Sequence, residues 1–226
     1  MSARFVLSVV FLVCLVVPMA AHADDGLRFE DEILVVDQLN HMIPVDLGQT
    51  VAIFFPAGEL DIRAADVTEV QTELHARCRK ISESTCDRYR KQLRFETKVV
   101  GDRVTVRLVG LSLRKISKVG LEGRILFPRW APLELRMGFG DVDVDAGDKD
   151  VTVAMKIGDL TVHADHLNIA SAKVGTRIGD AVISGPIDAE GKRPNLIGAK
   201  SNWLQGPGTS VIEVKLGIGD AKIYLD

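Results

Sequence analysis

The dipeptide Gly-Asp recurs at Gly140-Asp141, Gly158-Asp159, Gly179-Asp180 and Gly219-Asp220, at spacings of 18, 21 and 40 residues. Self-similarity at a period near 20 marks a stack of like units, and the last spacing is two such periods. Gly198-Ala199 lies near the missing position and is read as a degenerate repeat. Before the final dipeptide, Ile212, Val214, Leu216 and Ile218 alternate with polar or small residues, and Ala221, Ile223 and Leu225 resume the alternation after it. The step from Ile218 to Ala221 is three, however, so the inward phase slips by one residue. A straight strand that slipped so would turn its apolar set outward. A corner absorbs the slip: glycine supplies the positive φ that such a bend needs, and aspartate accepts nearby backbone N–H groups in an Asx-type turn. The same grammar covers Val153, Met155, Ile157 then Leu160, Val162, and Leu133, Leu135, Met137, Phe139 then Val142, Val144.

The first half of the chain also reads as strands. Thr50 to Phe55 is an apolar run, and Gly58-Glu59-Leu60-Asp61-Ile62 repeats the turn-then-alternation pattern. Val67, Val70, Thr72, Leu74, Ala76 and Cys78 predict a long strand, and Leu93–Val99 and Arg103–Val109 flank a Gly101-Asp102 hairpin turn. Ser82 to Gln92, with Ser82 as cap, is the best helical segment and is charged enough to lie at the surface. No series of βαβ crossovers is visible, which argues against a nucleotide-binding α/β fold. The expected fold class is all-β, a β-solenoid-like stack of short strands with Gly-Asp corners and one short surface helix.

The first residues carry the marks of an export leader: Arg4, a 13-residue apolar stretch from Phe5 to Val17, Pro18, and Ala21-His22-Ala23 as a cleavage signal. The stretch is shorter than the roughly 20 residues a spanning helix needs. Residues 1–23 are therefore expected to be cleaved, with 24–44 a lead-in and 45–226 a single domain. No later run reaches spanning length, and aromatics are only 5% of residues, too sparse for the girdles of a membrane barrel. A formal net charge of −3 excludes a strongly basic nucleic-acid binder. Export leaves Cys78 and Cys86 as a pair, most simply a disulfide in an oxidising compartment.

The leader, the Gly58–Ile62 start and the closing Ile212–Leu225 strand, corner and strand resemble the bacterial putative-adhesin, or toast-rack, family. The resemblance covers roughly residues 45–226 and implies an extracytoplasmic domain of stacked short strands. The Cys-bracketed basic insertion at about 77–94 and the turn near Gly198 depart from the family pattern, and no catalytic residues transfer.

Four clusters carry candidate chemistry. Asp141, Asp143 and Asp145 share one strand face, with Asp148 and Asp150 following. Calcium favours such oxygen rows, but Gly147 falls one residue late for a calcium loop and Thr152 stands where its bidentate Glu belongs, so the row is read as a solvated face and no metal or cofactor is assigned. His163, Asp165 and His166 form a short polar group lacking a visible third zinc ligand. Arg77, Arg79, Lys80, Arg88, Arg90, Lys91 and Arg94 stand against Glu83 and Asp87, a basic patch suited to anionic lipid headgroups or phosphorylated glycans. Trp203 is read as shielding the end of the stack, with stacking on a sugar the alternative.

These features point to an exported, non-enzymatic binding or structural module of the bacterial cell envelope, periplasmic or extracellular, with another envelope protein, a glycan or an anionic lipid surface as partner. The alternatives are a carbohydrate-active enzyme on a β-helix scaffold, which requires the acidic row and the histidines to converge in one groove, and a sensory module of an envelope-stress pathway. The exported protein is expected to begin at Asp24 with no free thiol. N-terminal sequencing and non-reducing peptide mass spectrometry check this, and free thiols on Cys78 and Cys86 would contradict it.

Overall fold

The computed structural model describes residues 40–78, 81–185, 190–192, 198–204 and 206–226. The expected leader and most of the lead-in lie outside the described residues. Strands in chain order are β1 (His41–Pro44), β2 (Thr50–Ala65), β3 (Glu69–Cys78), β4 (Arg94–Val100), β5 (Arg103–Val109), β6 (Val119–Pro128), β7 (Leu133–Asp145) and β8 (Val151–Ile157). They continue as β9 (Leu160–Ala164), β10 (Ile169–Ile178), β11 (Ala181–Ser184), β12 (Glu190–Lys192), β13 (Lys200–Leu204), β14 (Ser210–Ile218) and β15 (Ala221–Leu225). Two short helices interrupt them, α1 (Glu83–Arg90) and α2 (Leu113–Ile116). The chain is all-β, as its alternation predicts.

Each layer of the stack has two arms joined at a corner. β2 and β7 run through the corner, whereas β8–β9, β10–β11 and β14–β15 break at it. In the first arm, Ile53, Leu135, Val153, Val214 and Val174 form one inward row across five parallel strands. In the second arm the matching row is Ile62, Val144, Val162, Ile223 and Ile183. All ten side chains are buried. Aliphatic residues fill this narrow interior because β-branched side chains pack well between pleated layers.

The order of the layers differs from the order of the sequence. β14–β15 lies between β8–β9 and β10–β11, so the last segment of the chain fills a slot that was skipped earlier. Ser210 Oγ donates to the Asp148 carbonyl at 2.7 Å, and Val211 N–H donates to Asp150 Oδ1 at 2.8 Å, fixing the start of the inserted layer. The degenerate repeat expected at Gly198-Ala199 is corrected accordingly. That segment leads into β13, which runs antiparallel along β10 and is no parallel layer. Trp203, opposite Ala172, is buried there and shields the end of the stack, so it offers no face to a sugar.

At the other end, β5 flanks β2 in the first arm and β6 flanks it in the second, both parallel. The β4–β5 hairpin turns at Gly101-Asp102 as expected, and β3 and β1 add antiparallel strands beyond β6. α1 falls inside the predicted helix, but Ser82 Oγ bonds the Thr85 hydroxyl at 2.9 Å and caps no backbone N–H. α2 carries no signal in the sequence comparable to that of α1.

The corners stack as a column of glycines. Gly58, Gly140, Gly158, Gly219 and Gly179 all hold φ between 119° and 131°. A Cβ at Gly140 would stand 1.8 Å from the Gly58 carbonyl oxygen, one at Gly158 1.7 Å from that of Gly140, and one at Gly219 1.9 Å from that of Gly158. Glycine is thus required twice over, for backbone conformation and for the approach of the next layer. Gly48 also has positive φ (88°), but nothing lies within 4 Å of its virtual Cβ. Gly158→Ala is expected to cost about 3 kcal/mol or more and Gly48→Ala about 1 kcal/mol in urea unfolding. Equal losses would contradict the column.

Candidate functional site

The site is built from what the corner does to the residues on either side of it. Each corner reads apolar-Gly-acidic: Phe139-Gly140-Asp141, Ile157-Gly158-Asp159, Ile178-Gly179-Asp180 and Ile218-Gly219-Asp220, with Ala57-Gly58-Glu59 as the first. Three features follow, two of them ladders that run across the layers.

The first is acidic. Asp159 N–H donates to Asp141 Oδ1 at 3.3 Å, Asp220 N–H to Asp159 Oδ1 at 3.2 Å, and Asp180 N–H to Asp220 Oδ1 at 3.0 Å. The expected local Asx-type turn is corrected: each carboxylate accepts from the following layer, because stacking brings that amide as near as any in its own turn.

The second ladder is apolar. Phe139 pairs with Ile157, Ile157 with Ile218, and Ile218 with Ile178. Counting by twos places Phe139, Ile157 and Ile218 with the inward set, but they are 37%, 40% and 43% exposed, and Ile178 is 44% exposed. The bend carries the last apolar residue of each first arm past the edge of the core. The recurring apolar residue before Gly-Asp is the sequence signal that marks this row.

The third feature is the outward face of the second arm, where a groove of about 500 Å³ is lined by Asp61, Asp141, Asp143, Asp159, Glu122 and Arg124 among others. Asp141 and Asp143 of the predicted row enter it. Asp145 lies one step further along, in register with Arg63 and His163. Cations interleave these carboxylates: Arg63 reaches Asp61 at 2.5 Å and Asp143 at 3.8 Å, Arg124 reaches Asp61 at 3.6 Å, and His163 Nε2 lies 4.0 Å from Asp143. The His163 ring stacks on Tyr224 at 5.1 Å. The rest of the predicted polar cluster does not join: Asp165 accepts the Leu167 N–H at 2.9 Å, and His166 Nδ1 bonds the Asp226 carbonyl. Among the described residues no three His, Cys, Asp or Glu side chains form a metal-ligand group.

Cys78 and Cys86 are joined in a disulfide with Cα atoms 5.9 Å apart, tying the end of β3 to α1. Of the basic patch, Arg77 pairs with Glu122 at 2.8 Å, Arg90 with Asp87 at 3.1 Å and Arg94 with Glu96 at 2.7 Å. Arg88 on α1 and Lys91 just after it are exposed. Arg79 and Lys80 lie outside the described residues. Tyr89 joins this helix to α2, with Lys115 Nζ 5.5 Å and the Arg88 guanidinium 5.8 Å from its ring centre.

No family model and no curated protein sequence matches the chain. Among solved structures it is similar to a putative cell adhesion protein from Clostridium sporogenes, at 13% identity over 84% of this chain and 100% of that one, with a TM-score of 0.49. It is also similar to a putative adhesin from Parabacteroides merdae (12% identity, 83% and 81% covered, TM-score 0.32) and to one from Bacteroides fragilis (9%, 83% and 97%, TM-score 0.25). Among the described residues no helix is long and apolar enough to cross a membrane.

The acidic ladder has its own test. Asp220 both accepts from one neighbouring layer and donates to the other, so Asp220→Ala is expected to lower stability by about 1 kcal/mol. Asp220→Asn, which keeps the acceptor, should stay within about 0.5 kcal/mol of the parent. Thermal unfolding of the three proteins checks this, and equal loss in both variants would contradict the inter-layer bond.

Proposed function

We propose that this chain is an exported, non-enzymatic binding module of the bacterial cell envelope. The observation that carries the reading is the registered surface. The same side-chain types recur in rows on successive layers about 5 Å apart, which suits contact with an extended or repeating partner better than closure around one small substrate. The disulfide supports an oxidising compartment.

The competing enzyme reading draws on the partial convergence of Asp141, Asp143 and His163 beside one groove. Of the carboxylates there, Asp141 accepts from the next layer and Asp61 pairs with Arg63, whereas Asp143 stands 3.8 Å from Arg63 and its buried Oδ1 has no hydrogen-bond partner among the described residues. A binding role needs no free acid–base pair, whereas hydrolysis of a glycosidic bond needs two carboxyl groups set for protonation and attack.

Co-sedimentation of the purified, processed protein with isolated bacterial envelopes tests the proposal. Saturable binding, unchanged in Asp143→Asn and without release of soluble sugar, is the expected result. Release of sugar that Asp143→Asn abolishes would overturn it in favour of the enzyme, and absence of binding would overturn it outright.

A further inference from the structure

The apolar ladder is the least expected feature of the surface, since four large hydrophobic side chains in register are left half in water. At a spacing of about 5 Å between layers the row is about 14 Å long. Leu113, the first residue of α2, is 50% exposed and extends it. Leu113 and Phe139 stand between two open hollows of about 320 and 520 Å³, the first lined also by Phe54 and Met137 and the second by Ile116 and Leu121. Singly exposed apolar residues are ordinary, but a contiguous row rimmed by polar groups marks a contact site.

The charged side chains that line the two hollows are all basic, with Glu134 and Glu213 further out along the first arm. Arg107, Arg136 and Lys156 line the smaller hollow and Lys118 the larger. Arg177 is exposed immediately before Ile178, as Lys156 is before Ile157. Arg136 is shared with Glu134 at 2.9 Å, and its guanidinium and that of Arg107 lie over the Phe54 ring at 5.7 and 5.1 Å. The Tyr89–Lys115 contact ties α1, which carries the exposed Arg88 of the predicted basic patch, to α2. The corner carboxylates follow the glycines onto the second arm, where one oxygen each of Asp141, Asp159 and Asp220 is held by a neighbouring amide, and they bound the contact on that side.

We infer that this ladder, with Leu113 and its cationic rim, seats the protein on the surface of an anionic lipid bilayer, the aliphatic side chains entering the headgroup–acyl boundary and the arginines and lysines meeting lipid phosphates. The inference rests on the envelope-binding reading above and names its partner. Apolar area and attraction to anionic lipid add in such peripheral contacts. A second copy of the chain fits less well, because a two-fold interface would set these same cations against one another.

Flotation with vesicles of phosphatidylglycerol and phosphatidylethanolamine, against vesicles of phosphatidylcholine alone, is the test. The parent is expected to float with the anionic vesicles at least about tenfold more than with the neutral ones, and to be released by salt. Ile157→Ser/Ile218→Ser should lose about tenfold of that binding, as should Lys156→Gln/Arg177→Gln, which leaves the apolar row intact and keeps the test open if the first pair fails to fold. Equal binding to both vesicles, or parental binding by both variant pairs, would overturn the inference. Binding to isolated envelopes without binding to anionic vesicles would overturn it while leaving the envelope-binding role standing; binding to neither would sink both.

Discussion

Everything in this fold hangs on how closely two layers approach at the corner. Between Gly140 and Gly158 the backbones come so near that a single added carbon would lie 1.7 Å from a carbonyl oxygen. That contact sets the register of both arms at once. With the glycines aligned, Met137 meets Met155 on one side and Val142 meets Leu160 on the other, and the inward rows follow without further choice. The aspartates then take their partners from the neighbouring layer, because the glycine column brings the next amide within hydrogen-bond reach.

The same constraint creates the surface. A one-residue slip of phase at each layer means that one apolar residue per layer belongs to neither interior. Repeated in register, that local misfit becomes a ladder, and a ladder has a chemistry that one exposed isoleucine lacks. The polar rows of the second arm are organised in the same way, with Arg63 and Arg124 interleaved among carboxylates that would otherwise repel one another along the face. Surface pattern and core register are thus two consequences of one bend.

Much of this was legible in the sequence. The corners, the alternation, the β4–β5 hairpin, the short helix and the cysteine pair all follow from local rules. The order of the layers was not, because period-two alternation says which way Val214 points but not whether its neighbours are Val153 and Val174. The excursion through β13 between β11 and β14 looked like one lost repeat for the same reason. Exposure of Phe139, Ile157 and Ile218 was hidden by parity, which assigns them to the core until the bend is known. The basic patch looked stronger than it is because Glu122, the partner of Arg77, lies 45 residues away in the chain. The acidic row and the histidines were correctly seen as neighbours only in part, since the 3₁₀ turn at His166–Asn168 carries His166 away from Asp143.

The last layer, β14–β15, is inserted between two earlier ones and locked there by the glycine column, and the order of the whole stack depends on it. Inter-strand amide–Hα nuclear Overhauser effects in the isotopically labelled protein test it directly. Contacts are expected from the Val214 strand to both the Val153 strand and the Val174 strand, and none between the latter two. Contacts joining the Val153 strand to the Val174 strand, with that of Val214 at the outside, would contradict it.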